Sequence, residues 1–172
     1  MLRHDEPRGC DLPKCYIGGG ESEWGERTVA RRHTRPDACV LEFGGGAGSV
    51  SVTLAGILTQ PTDHVVIQPG DDKKAMFGGL AMLQRNAKQC NLKCRIVDRY
   101  LRHGDGAWLR GMVSKPFDTI VADCEGCLVG EYDKNPDLFE HVTQIQVERD
   151  DRGKYSELFE KTLGMRMVEP RR

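Results

Sequence analysis

The chain has 172 residues, 38% of them hydrophobic and 30% charged, with 25 basic side chains against 26 acidic ones; that is length for one core and too even a charge for a protein that grips nucleic acid through its phosphates. No stretch reaches the roughly 18 uncharged apolar residues of a membrane helix. The opening Met1-Leu2-Arg3-His4-Asp5-Glu6 lacks an apolar signal core, so the expected location is cytoplasmic, and the seven cysteines, an odd number, are expected as reduced thiols.

Residues 1–37 are polar and rich in Gly, Pro and charge, and read as an arm with one lead-in helix over residues 24–32. Residues 38–172 read as one domain, because from Cys39 onward short β-branched runs alternate with longer amphipathic ones, as in a parallel sheet covered by helices on both faces. Strands are predicted at 39–43, 64–67, 94–97, 117–122 and 142–148, each mostly apolar, as strands buried on both faces tend to be. After the first strand, residues 49–58 form a helix that buries Val50, Leu54, Ile57 and Leu58.

The clearest helix spans 72–91, with Met76, Leu80, Leu83, Ala87 and Cys90 on one stripe and Asp71 and Asp72 at its positive end. Gly78 and Gly79 weaken it by about 1 kcal/mol each relative to Ala. A helix over 155–163 buries Leu158, Phe159 and Thr162 and stops at Gly164, which leaves 165–169 for a last strand. The predicted class is α/β, a doubly wound and mostly parallel sheet.

The informative segment is Val40-Leu41-Glu42-Phe43-Gly44-Gly45-Gly46-Ala47-Gly48-Ser49, a strand entering a glycine-rich turn and then a helix. Glycines permit backbone angles that side chains resist, and their missing Cβ atoms let a nucleotide-like ligand approach the main chain at the C-terminal edge of the sheet. Gly44, Gly45, Gly46 and Gly48 are therefore expected to line a cofactor crevice; a tight turn without a ligand is the plain alternative. Dinucleotide folds want G-x-G-x-x-G, which would place glycine or alanine where Ser49 stands, so a nicotinamide-dependent oxidoreductase fits poorly.

The pattern Glu42-x-Gly44-x-Gly46-x-Gly48 instead resembles motif I of the class I S-adenosylmethionine-dependent methyltransferases. Further along, Phe117-Asp-Thr-Ile-Val-Ala-Asp123-Cys124-Glu125-Gly126 looks like a fourth strand ending in Asp-x-Glu-Gly, and Glu148 closes a fifth. Together these are most similar to the FkbM-type methyltransferase family, over residues 38–168. Neither the Asp-x-x-Tyr of protein-lysine methyltransferases nor the Asn/Asp-Pro-Pro-aromatic motif of amino-directed nucleic-acid enzymes stands at this point.

The resemblance implies a Rossmann-like methyltransferase sheet, S-adenosylmethionine as cofactor, and O-methylation of a small-molecule or sugar hydroxyl. It places Glu42, the loop glycines, Gln68, Asp98 and Asp123 around the cofactor, Gln68 where relatives carry a carboxylate on the ribose and Asp98 near the adenine. A neutral hydrogen bond is worth about 0.5–1.5 kcal/mol where a charged one gives about 1.5–3, so Gln68 implies an affinity about tenfold weaker. The family's sheet ends in two further strands of which residues 165–172 supply one; the C-terminal strands read as shortened, or that edge as covered by a partner or a second copy.

Removal of a hydroxyl proton needs a base, and Asp123 and Glu125, at the tip of the fourth strand, are the candidates for base or acceptor positioning; the alternative is that they cap the next turn. Glu148 is a third candidate, unless the alternation around it marks a solvated face. His103 and His141 fit surface loops better than catalysis, and Trp24 fits core packing better than a lid. A zinc site joining Cys90 and Cys94 to Cys124 and Cys127 is disfavoured, since the pairs flank opposite sheet edges, more than about 10 Å apart. No metal is therefore expected, while Cys124-x-x-Cys127 could serve as a dithiol switch. The competing function is a weak or inactive relative kept as a binding scaffold.

Overall fold

Runs such as Val40–Phe43 and Thr119–Ala122 are mostly apolar and buried along their whole length, covered on both faces, and the structure, a computed structural model, does this with two helical layers. It describes residues 12–18, 23–70, 79–148, 155 and 157–165. In chain order these are α1 (Trp24–His33), β1 (Val40–Phe43), α2 (Ser49–Ala55), β2 (His64–Ile67), α3 (Gly79–Gln89), β3 (Arg95–Val97), α4 (Gly106–Arg110), β4 (Thr119–Ala122), α5 (Cys127–Lys134), a 3₁₀ turn (Pro136–Phe139), β5 (Gln144–Val147) and a wide helical turn (Glu157–Thr162).

The five strands form one parallel sheet in the order β3-β2-β1-β4-β5. Chain order reverses between β1 and β4, which is where doubly wound folds open a crevice at the C-terminal ends of their strands. Side chains alternate across the sheet. Val40 and Val121 join Ala30 of α1 and Val50 and Leu54 of α2, whereas Leu41, Phe43, Ile120 and Ala122 join Leu109, Leu128 and Leu138 on the other face.

All five predicted strands are present, each within two residues of its expected start and one of its end, because a run buried on both faces is legible from its own composition. The helices differ more. The stretch predicted at 49–58 ends at Ala55, and its Ser49, Ser51 and Thr53 are as buried as its valines. On α3 the buried positions are Gly79, Leu83 and Asn86, while Leu80, Ala87 and Cys90 are only partly covered, so the expected apolar stripe is turned toward a polar residue. Residues 71–78, with Asp71, Asp72, Met76 and Gly78, lie outside the described residues, as do residues 166–172 of the predicted last strand. The sequence did not single out α4 or α5; α4 has five residues, and α5 buries Glu131 beside Leu128, which hides its period.

The cysteine expectation is corrected. Cys15 is joined to Cys90 and Cys124 to Cys127, with Cα atoms 5.2 and 5.4 Å apart. The end of α3 brings Cys90 beside segment 12–18, and the turn after β4 folds its two cysteines together; neither approach is visible from the count of cysteines. Burial pushes the remaining described thiols, Cys39 and Cys94, up to about 12, with neighbouring carboxylates adding to it. Among the described residues no helix is long and apolar enough to cross a membrane.

Candidate functional site

The glycine-rich loop leaves β1 at the C-terminal edge with Gly44, Gly46 and Gly48 at positive φ (82°, 51° and 89°), which explains the residue type at three positions by conformation alone. Close approach explains more. A Cβ on Gly44 would stand 1.7 Å from the Asp123 carbonyl oxygen, one on Gly45 2.6 Å from Val66, and one on Gly48 2.8 Å from Leu83. Three of the four glycines are thus required by protein neighbours. At Gly46 the first atom met is Oε1 of Glu23, at 3.4 Å, so Gly46 is where the loop's backbone faces a side chain rather than the packed interior.

The loop's amides are largely engaged as well. Gly44 N–H donates to the Ile67 carbonyl, Gly48 N–H to the Gly45 carbonyl, and Gly46 N–H to Oε1 of Gln68 at 2.8 Å. Gln68 is 3% exposed, and its amide oxygen, which the resemblance assigns to a ribose hydroxyl, ties the end of β2 to the loop instead. Glu42 is enclosed as well. Two residues beyond Val40, it lies on the face that carries α2, 1% exposed; its oxygens accept from Ser51 Oγ at 3.0 and 2.9 Å, and Oε2 lies 2.7 Å from His64 Nε2. A carboxylate so enclosed joins β1, β2 and α2 beneath the loop.

Asp98, just past β3, is exposed and accepts the Gly70 N–H at 2.7 Å, so it bridges the ends of β3 and β2. Asp123 follows β4 and donates its N–H to the Phe43 carbonyl at 2.9 Å, which sets it directly beside the glycine loop. Glu125 is exposed in the left-handed region at φ 55°, followed by Gly126 at φ 83°, the N-cap of α5. Among the described residues no side-chain hydrogen bond ties the carboxylates of Asp123 or Glu125. Glu148 N–H donates to the Ala122 carbonyl at 2.9 Å, one strand further along the same edge. The sheet edge thus gathers Gly46, Gln68, Asp123 and Glu148, while Glu42 stays inside. His103 and His141 are exposed in turns, and Trp24 is half-buried.

Two residues at this edge escaped the sequence reading. Asn86 of α3, 0% exposed, donates to the carbonyls of Ile17 and Ala47 at 2.8 and 2.9 Å and accepts the Ile17 N–H at 2.8 Å, joining the arm to the loop. Glu23 stands at the N-cap of α1 yet makes no capping hydrogen bond there; its Oε2 accepts from Ser49 Oγ in a very short contact. Burial raises the Glu23 carboxyl above its ordinary value, the Ser49 bond opposes this, and the carboxylates of Asp123, Glu42 and Glu26 add to the rise. Glu is not one of the residues that ordinarily cap a helix, and nothing in the local sequence announces its crossing to α2.

Among the described residues no group of three or more His, Cys, Asp or Glu side chains is arranged to hold a metal ion. No protein-family model matches the sequence, and no curated protein does. Among solved structures, the chain is similar to an O-methyltransferase from Bacillus cereus determined in complex with SAH, at 18% identity and a TM-score of 0.46. The match covers 74% of this chain and 55% of that one, so the chain spans little more than half the length of that protein.

Proposed function

We propose that the chain is an S-adenosylmethionine-dependent methyltransferase of FkbM-like type, acting on a hydroxyl of a small molecule or sugar. The observation that carries this reading is the site's place: a glycine-rich loop between β1 and α2 at the point where strand order reverses, with Asp123 packed against Gly44 across that point. Gly46 offers the cradle, since a side chain there would fill the space before Glu23. In this reading Gly46, Asp98 and Asp123 flank the cofactor, which supplies an electrophilic methyl group when bound. Asp123 or Glu125 takes the proton of the acceptor hydroxyl while the other positions the acceptor, and Glu148 borders the acceptor side.

Titration calorimetry with S-adenosylmethionine and S-adenosylhomocysteine tests it, with NAD as control. Micromolar binding of both sulfur ligands, abolished by Gly46→Val, is the expected result; silence with both sinks the enzymatic reading. One observation favours the competing scaffold: three of the four loop glycines and the Gln68 amide are already satisfied by the protein itself. In that case the sulfur ligands do not bind, and Gly46→Val costs only stability.

A further inference from the structure

We propose that Glu23 is a ligand-binding residue of this site, its carboxylate receiving the α-ammonium group of a nucleoside that carries an amino-acid moiety; this rests on the S-adenosylmethionine reading above. Glu23 is turned away from its own helix. As N-cap of α1 it could accept an amide of its own helix, yet its carboxylate leaves that helix and sits over Gly46 and Ser49. Since Gly44, Gly45 and Gly48 are closed off by Asp123, Val66 and Leu83, a ligand lying on the loop meets it at Gly46, and there it meets Glu23.

The surroundings favour a cation over a hydroxyl. Asp123 after β4, Glu42 of β1 and Glu26 of α1 all act on Glu23 as like charges, and burial together with the Glu23 charge raises the hydroxyl of Tyr16 in the arm. Arg27, one turn along α1, is the basic neighbour coupled to it, and is itself depressed chiefly by burial. A partly buried carboxylate crowded by other carboxylates is stabilised by a further positive group beyond Arg27. The position is also built rather than loose: Ser49 Oγ donates to Glu23 Oε2, and α1 packs through Ala30 with Val50 and Leu54 of α2.

The test compares S-adenosylhomocysteine with 5′-methylthioadenosine, which keeps the nucleoside and thioether and lacks the amino-acid part, on the full chain and on Glu23→Gln. Glutamine can still accept from Ser49, so the fold is kept, and a melting temperature at neutral pH no lower than that of the unaltered chain checks this. The expected result is an affinity for S-adenosylhomocysteine at least about tenfold weaker in the variant, with methylthioadenosine unchanged. Equal losses for both ligands, or no loss for either, overturn the proposal. In the unaltered chain the affinity for S-adenosylhomocysteine should fall as acid protonates Glu23, while that for methylthioadenosine holds; parallel pH profiles also overturn it. If the unaltered chain binds neither ligand, the cofactor reading itself has failed, a result distinct from binding that ignores Glu23.

Discussion

The two loops that meet at the C-terminal edge, Gly44 to Gly48 after β1 and Asp123 to Cys127 after β4, both turn through left-handed residues, yet their glycines exist for different reasons. In the β1 loop the neighbours leave no room at Gly44, Gly45 and Gly48, with the Asp123 carbonyl 1.7 Å from where a Gly44 Cβ would stand. In the β4 loop nothing lies within 4 Å of a Cβ on Gly126, so only its φ of 83° asks for glycine, and Glu125 beside it tolerates φ 55° with a full side chain. The β1 loop is clamped from outside, through Asn86 and the arm; the β4 loop is closed on itself by Cys124–Cys127. A run of glycines in a sequence is therefore evidence for a constrained backbone, and only the packing around it says whether the constraint comes from the protein or leaves space for a ligand.

The sharpest way to break this comparison is through the disulfides. Cys15–Cys90 spans a sequence separation of 75 and Cys124–Cys127 one of 3, so Cys15→Ser should cost about 4–5 kcal/mol and Cys124→Ser about 2, read by urea unfolding. Equal costs would show that the arm is not clamping the β1 loop. Beneath that loop, Glu42→Ala strands His64 and Ser51 without their buried acceptor and should cost at least about 3 kcal/mol. A thermal melt that barely moves would return Glu42 to the ligand side.

Next, Gly44→Ala must part the two loops and should cost about 3 kcal/mol, against about 1–2 for Gly126→Ala, where only the left-handed backbone is strained. The reverse order would refute the steric account. The smallest effect is chemical: with burial holding the Cys39 and Cys94 thiols at about 12, a thiol reagent at pH 8 should label neither in the native chain and both in urea. For a thiol whose folded value is raised, the thiol form's contribution to stability is intact below the ordinary cysteine value, near 9, and is lost as pH rises toward 12, so stability should fall across that alkaline window.

What the sequence determined by itself is local. Five strands, the glycine-rich junction after the first of them and the Asp123 turn after the fourth could be read because double-faced burial and left-handed turns leave their mark on consecutive residues. Tertiary structure decided everything that joins residues far apart. Glu42 and Gly44 are two residues apart in one motif, but the first lies under α2 while the second packs against Asp123. Glu23 meets Ser49 across 26 residues, Asn86 meets Ile17 across 69, and Cys15 meets Cys90 across 75. Such contacts follow from how helices settle on a sheet, and no periodicity within a single segment encodes them.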